Sequence, residues 1–214
     1  MQARFGAMVI AIGLGSATIA AATNIGVIGK KLIIVDKLAT AGKAKVVYVS
    51  KDQDAGITKG TGTALAGIDT TFDYTYDSTA GQMFMQSGVL DGDTEGWKVN
   101  KSTVAKFVNK SAPSGSTVAK VGVIKPGKLL KVVGKGLGDG PVIDIFATGA
   151  PTGDVHTAFT VDNTPGGVFS HCSTFSGCTY KLIAADTGAK LVCKSSTADP
   201  TCVALGSPSG AFVD

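Results

Sequence analysis

The side chains of this chain that could do chemistry are few, and their spacing limits what they can do. Histidine occurs twice, at His156 and His171. His171 is next to Cys172, which raises the idea of a cysteine–histidine nucleophile pair. Such a pair needs a free thiol and both groups on one face, whereas neighbours on a strand point to opposite faces. His156 stands just before Thr157-Ala158-Phe159, a strand-edge position. A serine route would need a positioned histidine and acid, and no G-x-S-x-G elbow occurs in the chain. Both histidines therefore read as structural, and no residue is assigned a catalytic role.

The four cysteines, Cys172, Cys178, Cys193 and Cys202, all fall late in the chain. Their spacing, C-x5-C-x14-C-x8-C, lacks the tight paired knuckles of zinc sites. An even number in an exported chain points to two disulfides. Local closure, Cys172 with Cys178 and Cys193 with Cys202, is the expected pairing because it needs no long-range contact.

Among the carboxylates, Asp91, Asp93 and Glu95 alternate with Gly92 and Gly96 in the manner of a calcium loop. Ser102 stands where an EF-hand would place its glutamate, and no helical pattern flanks the stretch. A solvated hairpin turn is the preferred reading, with calcium the one cofactor these residues would take. Asp52 and Asp54 form a weaker pair of the same kind. Gly122-Val123-Ile124-Lys125-Pro126-Gly127-Lys128 has phosphate-loop spacing, but Leu129 replaces the hydroxyl that would hold magnesium and β-type residues follow. Gly134 to Gly140 misses the dinucleotide spacing and reads as a turn. Asn100-Lys101-Ser102 and Asn109-Lys110-Ser111 match the glycosylation sequon, as lysine-rich strands readily do.

The elements that must carry these residues are strands. Phe72, Tyr74 and Tyr76 alternate with Thr71, Asp73, Thr75 and Asp77, a period of two with one aromatic face. That face reads as core, with a binding platform as the alternative. Short β-branched or alternating runs recur at 32–35, 45–50, 81–87, 97–100, 129–133, 142–146, 156–161, 168–172, 180–183 and 190–193. Residues 103–109 also suit a short helix, but the stretch matching them in the second half reads as strand. Turn residues separate the runs, so the expected fold is all-β, an antiparallel sandwich.

The runs also echo one another in order. Residues 27–35 resemble 123–133, Thr70-Thr71-Phe72 resembles Thr157-Ala158-Phe159, and Gly81 to Phe84 resembles Gly166 to Phe169. Trp97-Lys98-Val99 resembles Tyr180-Lys181-Leu182, and Lys106 to Ser111 resembles Lys190 to Ser195. This order suggests an internal duplication in two closely packed halves, 23–112 and 117–206. Residues 113–116 form a linker and 207–214 a tail.

Residues 1–22 read as a signal peptide: Arg4 gives the positive start, Phe5 to Ile19 the apolar stretch, and Ala20-Ala21-Ala22 the small residues for cleavage. No later stretch has the length of a membrane span. A secreted or cell-surface protein is expected, with the periplasm as the other destination.

Net charge is +4, and 44% of residues are hydrophobic, enough for a core. Arg4 is the sole arginine, which argues against nucleic acid as a partner. The lysines are spread through the chain and read as solubilising residues on exposed strand faces.

Together these features favour a non-enzymatic protein with a structural, surface-associated or binding role, acting through strand edges on a surface ligand or on itself. The alternatives are a secreted carboxylate-dependent hydrolase and a subunit of an extracellular filament or matrix.

Overall fold

In Ala44 to Ser50 every second side chain is buried, and Lys45, Val47 and Val49 lie on the other face. This alternation recurs along the chain and builds two sheets. The computed structural model describes residues 23–37, 43–51, 69–77, 79–85, 95–100, 104–110, 119–137, 145–162, 167–183 and 187–202.

The first strands are β1 (Thr23–Gly26), β2 (Gly29–Asp36), β3 (Ala44–Ser50), β4 (Asp69–Tyr76), β5 (Thr79–Met85), β6 (Glu95–Asn100) and β7 (Val104–Asn109). The later ones are β8 (Val121–Lys125), β9 (Leu129–Leu137), β10 (Val155–Asp162), β11 (Val168–Phe175), β12 (Thr179–Leu182), β13 (Ala189–Lys194) and β14 (Thr197–Ala198). A short helix, α1 (Ile145–Thr148), lies between β9 and β10. Residues 142–146 were expected as strand, but Ile145 and Phe146 open this helix. The Asp36 carboxylate accepts a hydrogen bond from the Phe146 amide at 3.2 Å, and Gly149, at φ 87°, closes the turn onto the Ile145 carbonyl.

The smaller sheet runs β1-β11-β10-β4-β5, with β14 also paired to β11. The larger runs β12-β13-β2-β3-β9-β8-β7-β6. Pairing is antiparallel except for β1, which lies parallel to β11. The protein is an all-β sandwich.

The core lies between the sheets. Leu32, Ile34, Val46, Leu130 and Val132 of the larger sheet face Phe72, Tyr74, Tyr76, Met83 and Phe159 of the smaller. Phe72, Tyr74 and Tyr76 are thus core residues, at most 1% exposed. Tyr48 bridges the layers. Its ring lies 4.9 Å from that of Phe72, and its hydroxyl donates to Ser173 Oγ at 2.8 Å, which in turn donates to the Val27 carbonyl.

Residues 23–112 and 117–206 each send strands to both sheets, and β7 pairs with β8 while β13 pairs with β2. Exchanging each of β2–β7 with the strand six places later turns the order of the larger sheet, and of β11-β10-β4-β5, into its own reverse. The centres of this exchange are the opposed pairs Val47–Val133 and Phe72–Phe159.

Four of the sequence echoes fall on strands that exchange. Those of Phe72, Trp97 and Lys106 match residue for residue, and that of Gly81 falls on β5 and β11 out of step. The echo between 27–35 and 123–133 instead sets β2 against β9, which do not exchange. Short Lys/Val/Leu strands resemble one another in composition, so likeness alone cannot choose between neighbours.

Candidate functional site

The strand order decides which of the polar residues meet. His171 faces inward on β11 and is wholly buried. Its Nδ1–H donates to the Phe159 carbonyl at 3.2 Å, and its ring stands edge-on to Phe159 at 6.4 Å. Burial holds its pKa down at about 4, against the pull of that hydrogen bond, so the imidazole is neutral at pH 7. It is a packing residue with no approach from solvent.

His156 lies on the outer face of the smaller sheet, with Nδ1 3.0 Å from Thr174 Oγ1 and 3.7 Å from Asp199 Oδ2. The Thr174 hydroxyl donates to Asp199 Oδ2 at 2.8 Å, and Asp199 Oδ1 accepts from the Thr201 amide and hydroxyl. The group superficially resembles a hydroxyl–histidine–acid triad. However, the threonine proton points at the acid rather than the histidine, so the imidazole is not placed to take it as the base of such a triad would. Its evident effect is to pin the end of the described chain onto β11.

Both disulfides form, but the pairing corrects the expected one. Cys172 joins Cys202, and Cys178 joins Cys193. The β12–β13 hairpin sets Thr179 opposite Val192, which places Cys178 beside Cys193. Cys172 lies within β11, where Gly26 pairs with it and the returning segment after β14 brings Cys202 over the strand. A run of strand and a turn separate Cys172 from Cys178, so nearness in sequence was not nearness in the sheet. Among the described residues no cysteine is free.

Asp73 is the acid that sequence reasoning missed. It sits on the outer face of β4 yet is only 8% exposed. Its Oδ1 accepts from Gln82 Nε2 at 2.5 Å and its Oδ2 from Thr71 Oγ1 at 2.9 Å. Burial raises its pKa to about 6, while the Gln82 and Thr71 bonds pull it down. The residues opposite it are Ala158 and Gln82, so no second carboxylate faces it across either neighbouring strand. The signal was faint: an aspartate alternating with tyrosines looks like any solvent-facing strand residue.

Of the proposed calcium residues, Asp91 and Asp93 lie outside the described residues, as do Asp52 and Asp54. Glu95 opens β6 opposite Asn109. Among the described residues no three His, Cys, Asp or Glu side chains gather closely enough to hold a metal ion. The phosphate-loop look-alike is the β8–β9 hairpin. Its turn has Pro126 followed by Gly127 at φ 66°, closed by the Lys128 amide on the Lys125 carbonyl at 2.9 Å. A Cβ at Gly122 would collide with Met85 Sδ, so this glycine admits a close approach between the sheets. Asn109 is 3% exposed, so its sequon side chain lies inside the sandwich.

The outer face of the larger sheet has a different character. Strand register sets Val192, Ile33, Val47, Val133, Val121 and Val108 side by side across β13, β2, β3, β9, β8 and β7. On one side of this aliphatic row lie Lys181, Lys190, Lys45 and Lys135, and on the other Lys194, Lys31, Lys131, Lys106 and Lys98. Lys131 is half-buried and the other eight are exposed. None of these lysines forms an ion pair among the described residues. No carboxylate occupies any described position in these rows.

Compared with known proteins, the chain matches no family model, no curated protein and no solved structure. What fold and site define is a disulfide-bonded all-β sandwich with a lysine-rich outer face. The two disulfides are compatible with an oxidising location. No helix among the described residues is long and apolar enough to cross a membrane.

Proposed function

We propose that the protein is exported and works by contact rather than by turnover, with the outer face of the larger sheet as its working surface. The observation that carries this reading is the lysine face, which has no ion pair among the described residues. Like charges brought side by side repel one another, and an anionic partner relieves that repulsion. The poverty of catalytic groups supports it: one histidine is neutral in the core, the other is held beside an acid-bound hydroxyl, and the described cysteines are bridged. The leader at 1–22 and the two disulfides support export. The exchangeable strand order supports an origin by duplication of a six-strand unit.

The test is to express the full chain with its leader in a bacterial host, fractionate the cells, and screen the mature protein against a panel of glycoside, ester and peptide substrates. Export without turnover is the expected result. The second reading, a carboxylate-dependent hydrolase, has one observation in its favour, the raised pKa of Asp73. Turnover abolished by Asp73→Asn would establish that reading in place of ours.

A further inference from the structure

Three lysines of each row correspond under the strand exchange. Lys45 lies two residues before Val47 and Lys131 two before Val133, and those valines are paired at the centre of the larger sheet. Lys190 and Lys106 lie in the same way two residues before Val192 and Val108. Lys181 pairs with Lys190 as Lys98 pairs with Lys106. One row therefore holds Lys181, Lys190 and Lys45, and the other Lys98, Lys106 and Lys131, in matching positions. In each row two lysines sit on adjacent strands, about 4.8 Å apart, and the third lies two strands on, beyond Val35 in one row and Val123 in the other; the two rows lie roughly 13 Å apart, four residues along a strand.

We propose that each row binds a linear acidic polysaccharide, a polyuronate-like chain lying across the strands, so that one molecule holds two such chains. The inference rests on the contact reading above and names the partner. A polyuronate presents one carboxylate per sugar, a spacing close to that of neighbouring strands, so lysines one or two strands apart meet carboxylates one or two sugars apart, as movable point donors.

Sheet twist argues for a chain over a flat surface. Neighbouring strands turn by about 20° each, so across the four strands that each set of three lysines spans the row rotates by roughly 60°. A flexible polymer follows that rotation, whereas a planar anionic bilayer meets only part of it. Nucleic acid is disfavoured because the rows contain no arginine and no aromatic side chain on which bases could stack. The aliphatic row between the lysines is partly exposed and offers no large side chain to insert into lipid.

The experiment is calorimetric titration of the mature, oxidised protein with oligogalacturonate. Dextran, phosphatidylglycerol vesicles and single-stranded DNA are the comparison ligands, each titrated at low and at physiological salt. We expect two sites per molecule for oligogalacturonate, no binding of dextran, and steep weakening with salt as counterions are released. Replacing Lys98, Lys106 and Lys131 by Gln should remove one site, and adding Lys45→Gln, Lys181→Gln and Lys190→Gln should remove the other. A single row reduced by one lysine should weaken about threefold, as exposed ion contacts do. Exposed Lys30, Lys125 and Lys128 changed together to Gln form the charge-matched control and should leave both sites intact.

Thermal melts of each variant show whether it folds. Equal weakening by the control triple, or binding of vesicles or DNA but not of oligogalacturonate, overturns the proposal while leaving the contact reading standing. Cleavage of the oligomer overturns the contact reading itself.

Discussion

Phe72 on β4 and Phe159 on β10 stand directly opposite each other, both wholly buried, at the centre of the smaller sheet. The strand exchange carries one onto the other. The two side chains pack in the same core, so truncating one removes packing from the other.

Truncating either should therefore be costly. We expect Phe72→Ala and Phe159→Ala each to destabilise the fold by about 3–4 kcal/mol in urea titrations. The double variant should fall short of the sum, because residues opposed in a sheet share one cavity. Full additivity would show that the two sites do not share packing.

Non-reducing peptide mapping should return two linked pairs, Cys172 with Cys202 and Cys178 with Cys193. Replacing both Cys178 and Cys193 by Ala should lower stability by about 3 kcal/mol through the freed loop. A peptide joining Cys172 to Cys178 would refute this arrangement.

Asp73 and His171 make opposite demands on pH. The folded pKa of Asp73, about 6, lies above its ordinary 3.8. Its contribution is therefore present below pH 4 and is lost as pH rises through 6. The folded pKa of His171, about 4, lies below its ordinary 6.5. Its contribution is present above pH 6.5 and is lost as pH falls towards 4. The two partly cancel in the wild-type chain. Asp73→Asn should raise stability at pH 7 by on the order of 2 kcal/mol and leave a profile that falls with acid. His171→Gln should leave a profile that rises with acid between pH 6 and 4. Chemical denaturation across pH 4–7.5 measures both, and parallel profiles for the two variants would contradict the assignment.

If Asp91 to Glu95 is a solvated turn, the melting midpoint will be the same in millimolar calcium and in chelator. A rise with calcium would instead make Asp91, Asp93 and Glu95 ligands of a bound ion.

How much was legible beforehand depended on the range of the interaction. The alternation of Phe72, Tyr74 and Tyr76 with polar residues predicted a strand with an inward aromatic face, because side-chain direction along a strand is a local property. The same logic gave the all-β class, and the matching stretch in the second half favoured strand for residues 103–109, where Val104–Asn109 form β7. It failed at Ile145 and Phe146, where a cap from Asp36, distant in sequence, settles the turn. It failed at the cysteines for a related reason, since partners were chosen by chain distance. Asp73 looked like any wet-face aspartate until burial raised its pKa against the hydrogen bond from Gln82.

By itself, then, the sequence determined the period of two, the turns, the apolar content for one core and the even set of cysteines. Only the tertiary structure decided which strands neighbour one another, and with that the disulfide pairing and the alignment of scattered lysines into two rows. Strand pairing joins residues through hydrogen bonds between backbones, which all strands offer alike. The choice among partners is made by the packing of the whole sandwich rather than by any short stretch of chain.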